Sequence, residues 1–192
     1  MSVAAARLPC MGQIETLTQQ VRQGEKVKFL PFWGHRPRPD GQLSASCLSQ
    51  WWESPFEVEG VRYATAEHWM MAAKARLFGD PEAERAALSS RTPAEAKKAG
   101  RLVRGFDGTV WERERFGIVV EGSVHKFASD EALRAFLLGT GGRVLVEASP
   151  VDRVWGIGLA ADDPRATDPA RWRGLNLLGF ALMEARERLR GG

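Results

Sequence analysis

A carboxylate, an imidazole, an indole and an amine stand at helical spacing in Tyr63-Ala-Thr-Ala-Glu-His-Trp-Met-Met-Ala-Ala-Lys74, a segment that is otherwise apolar. Thr65 is placed to cap this helix with its hydroxyl. Glu67 then falls in the first turn, where the helix dipole favours negative charge. Positions 67, 70, 71 and 74 follow i, i+3, i+4, i+7, so Glu67 and Lys74 share a face with Met70 and Met71. Two readings fit. The pair projects two functional groups into a partly apolar cleft, or it is a structural ion pair whose long side chains snorkel at a helix edge.

A second group follows the apolar run Arg143-Val-Leu-Val146, which reads as a buried strand. In Glu147-Ala-Ser-Pro-Val-Asp-Arg-Val-Trp-Gly-Ile-Gly158, Glu147 and Asp152 stand just past the strand end, where binding groups tend to sit. Trp155 comes next, with Gly156 and Gly158, which let a backbone approach a planar ligand closely. The alternative is an ordinary Pro/Gly turn with surface acids. A third segment, Asp168 to Leu189, ends in an amphipathic helix from Leu175, with Leu178, Ala181, Leu182, Ala185 and Leu189 on one stripe. Asn176, at its entrance, reads as a binding amide or as a helix-start residue.

These segments carry a resemblance. Ser54-Pro-Phe-Glu-Val-Glu-Gly-Val-Arg-Tyr-Ala-Thr-Ala-Glu-His-Trp-Met-Met-Ala-Ala-Lys74 is similar to the signature of the YbiA-like, or NADAR, family. Glu147–Gly158 and Asn-Leu-Leu-Gly-Phe-Ala-Leu-Met-Glu resemble its later motifs, in the same order. The likeness runs from about Phe29 to Leu189; the residues before Phe29 add nothing to it. Residues 1–25 are therefore expected to be an N-terminal extension, and 26–192 a single YbiA-like domain, α+β and predominantly helical with a few short strands. The entrance Phe29-Leu-Pro-Phe-Trp-Gly-His and the Pro-rich stretch after it depart from the family's commoner, shorter passage, which leaves substrate choice open.

The resemblance implies cleavage of the N-glycosidic bond between ribose and a heterocycle or amine. Phosphorylated riboflavin-pathway intermediates and ADP-ribosylated bases such as guanine are the implied substrates. Breaking C1′–N develops positive charge at the anomeric carbon, which a carboxylate stabilises, while another carboxyl protonates the leaving nitrogen or activates water. Glu67 is the favoured essential acid. Lys74 holds phosphate or ribose hydroxyls, or attacks C1′ as an amine. Glu147 and Asp152 are the remaining catalytic candidates, with acid and base unassigned between them. His68, Trp111, Trp155, Gly156, Gly158 and Asn176 are the expected substrate contacts. Trp111 reads equally as core packing or as a ring that stacks on a base. The competing function is a module that binds ADP-ribose or a nucleotide without turnover.

Composition sets bounds. The chain has 192 residues, 44% hydrophobic and 27% charged, which suits one globular domain. No apolar run approaches the roughly 18 residues that span a bilayer, and no secretory leader is visible. Two cysteines, Cys10 and Cys47, give no disulfide framework and suggest a reducing, cytoplasmic setting. His35, His68 and His125 are too scattered for a zinc site, and no phosphate loop is present, so no cofactor and no metal are expected. The net charge of +3 permits a phosphorylated substrate without demanding one. Lys97, Lys98, Arg101 and Arg104 read as one solvated helix face.

Around these residues the spacing predicts a helix over Gln13–Gln23, a strand over Lys26–Trp33 and a loop over His35–Ser46. A hairpin should turn at Glu59-Gly60. The motif helix runs from about Ala66 to Phe78. Further helices start at Asp80-Pro81, at the capping box Thr92–Glu95, at a second box Thr109–Glu112, and at Asp130.

Overall fold

The computed structural model describes residues 9–191. These form seven α-helices and four short strands, an α+β architecture dominated by helix. The contacts sort them into two compact units: residues 9–33 with 142–183, and residues 34–141 with 184–191.

The first unit is organised by a two-stranded parallel sheet, β1 (Phe29–Phe32) against β4 (Val144–Glu147), with Phe29 opposite Val144 and Phe32 opposite Glu147. Strand β4 is apolar and buried through Val144, Leu145 and Val146, as a strand covered on both faces should be. The expected strand over 26–33 is shorter here. Helix α1 (Pro9–Arg22) begins before Gln13 and packs on the short turn of helix Pro169–Arg171. Helix α7 (Leu177–Gly191) starts two residues later than Leu175. Its first turns lie directly on β4, because a Cβ at Gly179 would sit 2.1 Å from the Leu145 carbonyl oxygen.

The second unit is helical. Strands β2 (Phe56–Val58) and β3 (Val61–Tyr63) form the expected antiparallel hairpin. Its turn residues Glu59 and Gly60 both have positive φ, 51° and 78°, as a two-residue hairpin of right-handed twist requires. The hairpin leads into α2 (Ala66–Leu77), which packs on α3 (Pro81–Ser89), α4 (Pro93–Arg101) and α5 (Gly108–Ala128). Helix α6 (Glu131–Gly139) follows, capped by Asp130. Asp80 and Thr92 cap α3 and α4 as their sequences predict, each with proline in the first turn.

Three local expectations are corrected. Thr65 occupies the N-cap position of α2, but its hydroxyl makes no capping bond; it bonds the His68 Nδ1 at 2.8 Å instead. Thr109 does not open α5. Asp107 does, accepting from the N–H groups of Thr109 and Val110, because a carboxylate two residues upstream can serve two orphan donors at once. Helix α4 ends at Arg101, so Arg104 leaves the predicted basic face and binds Asp80 and Glu82.

Candidate functional site

Helix α2 has two faces of opposite character. Trp69, Ala73 and Arg76 point one way, into a 430 Å³ hollow shared with Tyr63 and His125. Trp69 is anchored there: its indole N–H donates to the Ile118 carbonyl at 2.8 Å, and Gly122 leaves room for the ring, since a Cβ would fall 2.3 Å from Trp69 Cδ1. Fixing this side fixes the other, which carries Glu67, Met70, Met71 and Lys74.

Glu67 is 3% exposed and sits in the first helical turn. Its backbone N–H, one of the orphan donors of a helix start, donates to the Gln50 carbonyl at 3.0 Å. Lys74 lies two turns further on, a rise of about 10 Å. Its amine donates to the Gly100 carbonyl at 2.8 Å and stands over two rings, 4.2 Å from the centre of Phe106 and 5.4 Å from that of Trp111. Burial lowers the Lys74 pKa from its ordinary value. Trp111, in the first turn of α5 and half-buried, is thus brought together with Lys74.

His68 turns away from this face. It is fully buried, with Nδ1 bonded to Thr65 Oγ1 and Nε2 at 3.2 Å from the Ser90 carbonyl. Burial lowers its pKa, against the raising effects of the Ser90 bond and the Glu95 charge. Its contacts hold α2 to the α3–α4 turn.

In the first unit the selected residues meet one another. Asn176 is fully buried with φ 52°. Its Oδ1 accepts from the Glu147 N–H and its Nδ2 donates to the Leu145 carbonyl, both at 2.9 Å. One side chain thereby serves strand β4 as a pairing strand would. Asp152 Oδ1 accepts from the N–H groups of Val154 and Trp155, both at 2.8 Å, closing the turn. The Ile157 N–H donates to the Glu147 carbonyl, and the first N–H groups of α7, Leu177 and Leu178, donate to the carbonyls of Val154 and Trp155. Gly156 is required by crowding, since its Cβ would lie 2.8 Å from the Glu147 oxygen; Gly158 has φ +67°. Trp155 is half-buried on this framework.

Two residues of evident weight escaped the sequence reading. Lys126 in α5 is fully buried, and its amine donates to the carbonyls of Cys47 at 2.6 Å and Ser49 at 2.8 Å. It thereby pins the segment whose next residue, Gln50, holds the Glu67 N–H. Burial brings its pKa down to about 7. The available signal was its place on the apolar stripe of Phe116, Val119, Val120, Ser123 and Phe127. Phe106 lies in a link between helices, where no periodicity marks it. Among the described residues no group of three or more His, Cys, Asp or Glu is placed to hold a metal, and no helix is long and apolar enough to cross a membrane.

Comparison with known proteins decides the lineage. The NADAR domain profile matches residues 31–190. The chain belongs to the NADAR family. This NADAR domain is 40% identical over 168 residues to N-glycosidase R617 of Acanthamoeba polyphaga mimivirus, covering 85% of the chain and 97% of that protein. It is 30% identical to N-glycosidase YbiA of Escherichia coli, over 70% of the chain and 76% of YbiA. The NMR structure of E. coli YbiA superposes with a TM-score of 0.66 and 26% identity, covering 85% of each chain. A longer relative, the chloroplastic riboflavin biosynthesis protein PYRR of Zea mays, is 32% identical over 67% of the chain and 20% of its own length. With these relatives, the NADAR protein described here is an enzyme, an N-glycosidase.

Proposed function

We propose that this chain hydrolyses the bond between C1′ of a ribose phosphate and the nitrogen of a heterocycle or amine. The substrate classes are early riboflavin-pathway intermediates and ADP-ribosylated guanine. The single observation that carries the reading is the α2 face: a buried carboxylate in the first turn and, two turns on, an amine bounded by two aromatic rings. The maize riboflavin biosynthesis relative supports the first substrate class.

In this reading Glu67 opposes the positive charge that develops at C1′ as the C1′–N bond breaks. Trp111 stacks on the base. Lys74, with its pKa lowered by burial, attacks C1′ as the neutral amine. The C1′–N bond to the base breaks, and the proton lost by the amine ends on the departing base. The sugar then opens to a protonated imine as its ring oxygen takes a proton. Water adds to C1′, the C1′–Nζ bond breaks, and free sugar phosphate and free amine result. If Lys74 only binds phosphate, water attacks C1′ directly. Glu147 and Asp152 are the remaining proton-transfer candidates, and Trp155, Gly156, Gly158 and Asn176 the remaining substrate-side candidates. His68 supports α2 behind Glu67.

The test is incubation of the purified chain with phosphorylated ribosylaminouracil and, separately, with ADP-ribosylated guanine, following free base and free sugar by chromatography. Release of base with matching release of sugar supports the reading. Tight binding of either compound with no release would make the chain a binding module instead. Activity should persist after exhaustive chelation; loss with EDTA and recovery with one metal would contradict a purely organic site.

A further inference from the structure

The link between α4 and α5 places an aromatic ring against the Lys74 amine. Phe106 is half exposed, at 49%, so burying it in a core is not its main contribution. Its ring face meets the Lys74 Nζ at 4.2 Å, close enough for an N–H of the amine, charged or neutral, to point at the ring, and the Gly100 carbonyl accepts from the same nitrogen at 2.8 Å. A free lysine side chain samples many rotamers. Two contacts, from the end of α4 and from the link after it, confine that freedom.

The link itself is fixed firmly. Asp80 Oδ2 accepts from the Arg104 backbone N–H at 2.9 Å and from its Nε at 3.1 Å; Asp80 Oδ1 accepts from the Arg104 Nη2 at 2.8 Å and from the Ala83 N–H at 3.1 Å. These bonds from Arg104 hold the Asp80 carboxyl well below the usual carboxylate range, so the clasp stays ionised. Gly105 then turns the chain with φ +69°, and Phe78 meets Phe106 edge to face at 5.3 Å. Gly100 belongs to the same arrangement. A Cβ there would lie 2.1 Å from the Met71 sulfur, so any larger residue would force the Met71 side chain to shift.

We infer that Phe106 is a positioning residue for the Lys74 amine: its ring face and the Gly100 carbonyl hold Nζ at one point on the Glu67-bearing face of α2, and the Asp80–Arg104 clasp holds the ring. This inference rests on the reading of Lys74 as the amine of the site. An amine held in place reacts faster without binding substrate more tightly, because what is gained is orientation.

The experiment compares the whole chain with Phe106→Ala, Phe106→Tyr, Leu102→Ser and Lys74→Met, on whichever of the two substrate classes it turns over. Leu102 is a control, 70% exposed on the same stretch. Three quantities are read: kcat, KM and the fraction of protein trapped as a borohydride-reduced adduct. Phe106→Ala is expected to lose about tenfold in kcat with KM nearly unchanged, and trapped adduct falls in step. Phe106→Tyr keeps the ring face and recovers most of the rate. Leu102→Ser behaves as the parent. An unchanged kcat for Phe106→Ala beside an inactive Lys74→Met overturns this inference alone. So does a loss that Phe106→Tyr fails to recover, or one that appears in KM. A fully active Lys74→Met overturns the reading beneath it.

Discussion

The residues of Glu147–Asn176 and those of the α2 face are built on opposite plans. Around β4 and the start of α7, several residues that looked chemical also build the frame. The Asn176 amide pairs with β4, the Asp152 carboxylate closes a turn, and Gly156 and Gly179 allow close backbone approach. On α2, Glu67 is buried in the first turn and Lys74 lies two turns on, and other elements hold them: Trp69 behind them, Lys126 and Gln50 at one end, Gly100 and Phe106 at the other. A polar residue in a turn motif can thus build the frame as well as serve a site. Substitutions in the first region should appear in stability, and substitutions on the α2 face in turnover.

The largest expected effect is at Lys74. An arginine keeps the charge but stays protonated and cannot form an imine, so Lys74→Arg should lose on the order of 100-fold or more in kcat if the amine attacks C1′. Intact-mass spectrometry after borohydride treatment during turnover should show a sugar adduct on the parent protein alone. An active Lys74→Arg without any adduct would reduce Lys74 to a phosphate-binding charge.

Next comes Asn176. Asn176→Ala leaves the Leu145 carbonyl and the Glu147 N–H without their present partner, at roughly 1–3 kcal/mol for each buried group, and puts alanine at φ 52°. Chemical denaturation should show the loss. Gly179→Ala should cost about 1–3 kcal/mol through overpacking against β4. Either variant melting like the parent would break the contrast between the two regions.

How far could this be read beforehand? The hairpin turn, the Asp80 and Thr92 caps and the amphipathic α7 rest on interactions within a few residues, and local spacing showed them. Thr65 and Thr109 misled because a capping sequence does not reveal a stronger competitor: the buried His68 ring in one case, the Asp107 carboxylate in the other. Asn176 works through Leu145 and Glu147, 31 and 29 residues away, and Lys126 through carbonyls 79 and 77 residues away. No period encodes such distances. Phe106 was invisible because a link between helices has no face.

A smaller, pH-dependent effect sharpens the account of Lys126. Its pKa falls from 10.5 in the open chain to about 7 when folded. Below pH 7 both states hold the proton. Between about 7 and 10.5 the unfolded chain binds more protons, so stability rises with pH, at most about 1.4 kcal/mol per unit. Burial raises the Cys47 thiol from 9.0 to about 11, which opposes this gain above pH 9, so the clean window is pH 7 to 9. The parent should melt higher at pH 9 than at pH 7. Lys126→Met, less stable overall through the loss of two backbone partners, should show a smaller rise, the remainder belonging to Lys74, whose pKa burial also lowers. The same slope in both proteins would assign it to other groups.

The most direct measurement uses one protein and two readouts. Glu67→Gln keeps the shape of the side chain and removes its charge at the start of α2. On a substrate that the parent hydrolyses, turnover should fall by a factor of about 100 or more, with a melting temperature close to the parent's. A Glu67→Gln protein with near-parental kcat would show that the charge opposing C1′ comes from elsewhere, and would contradict the account at its centre.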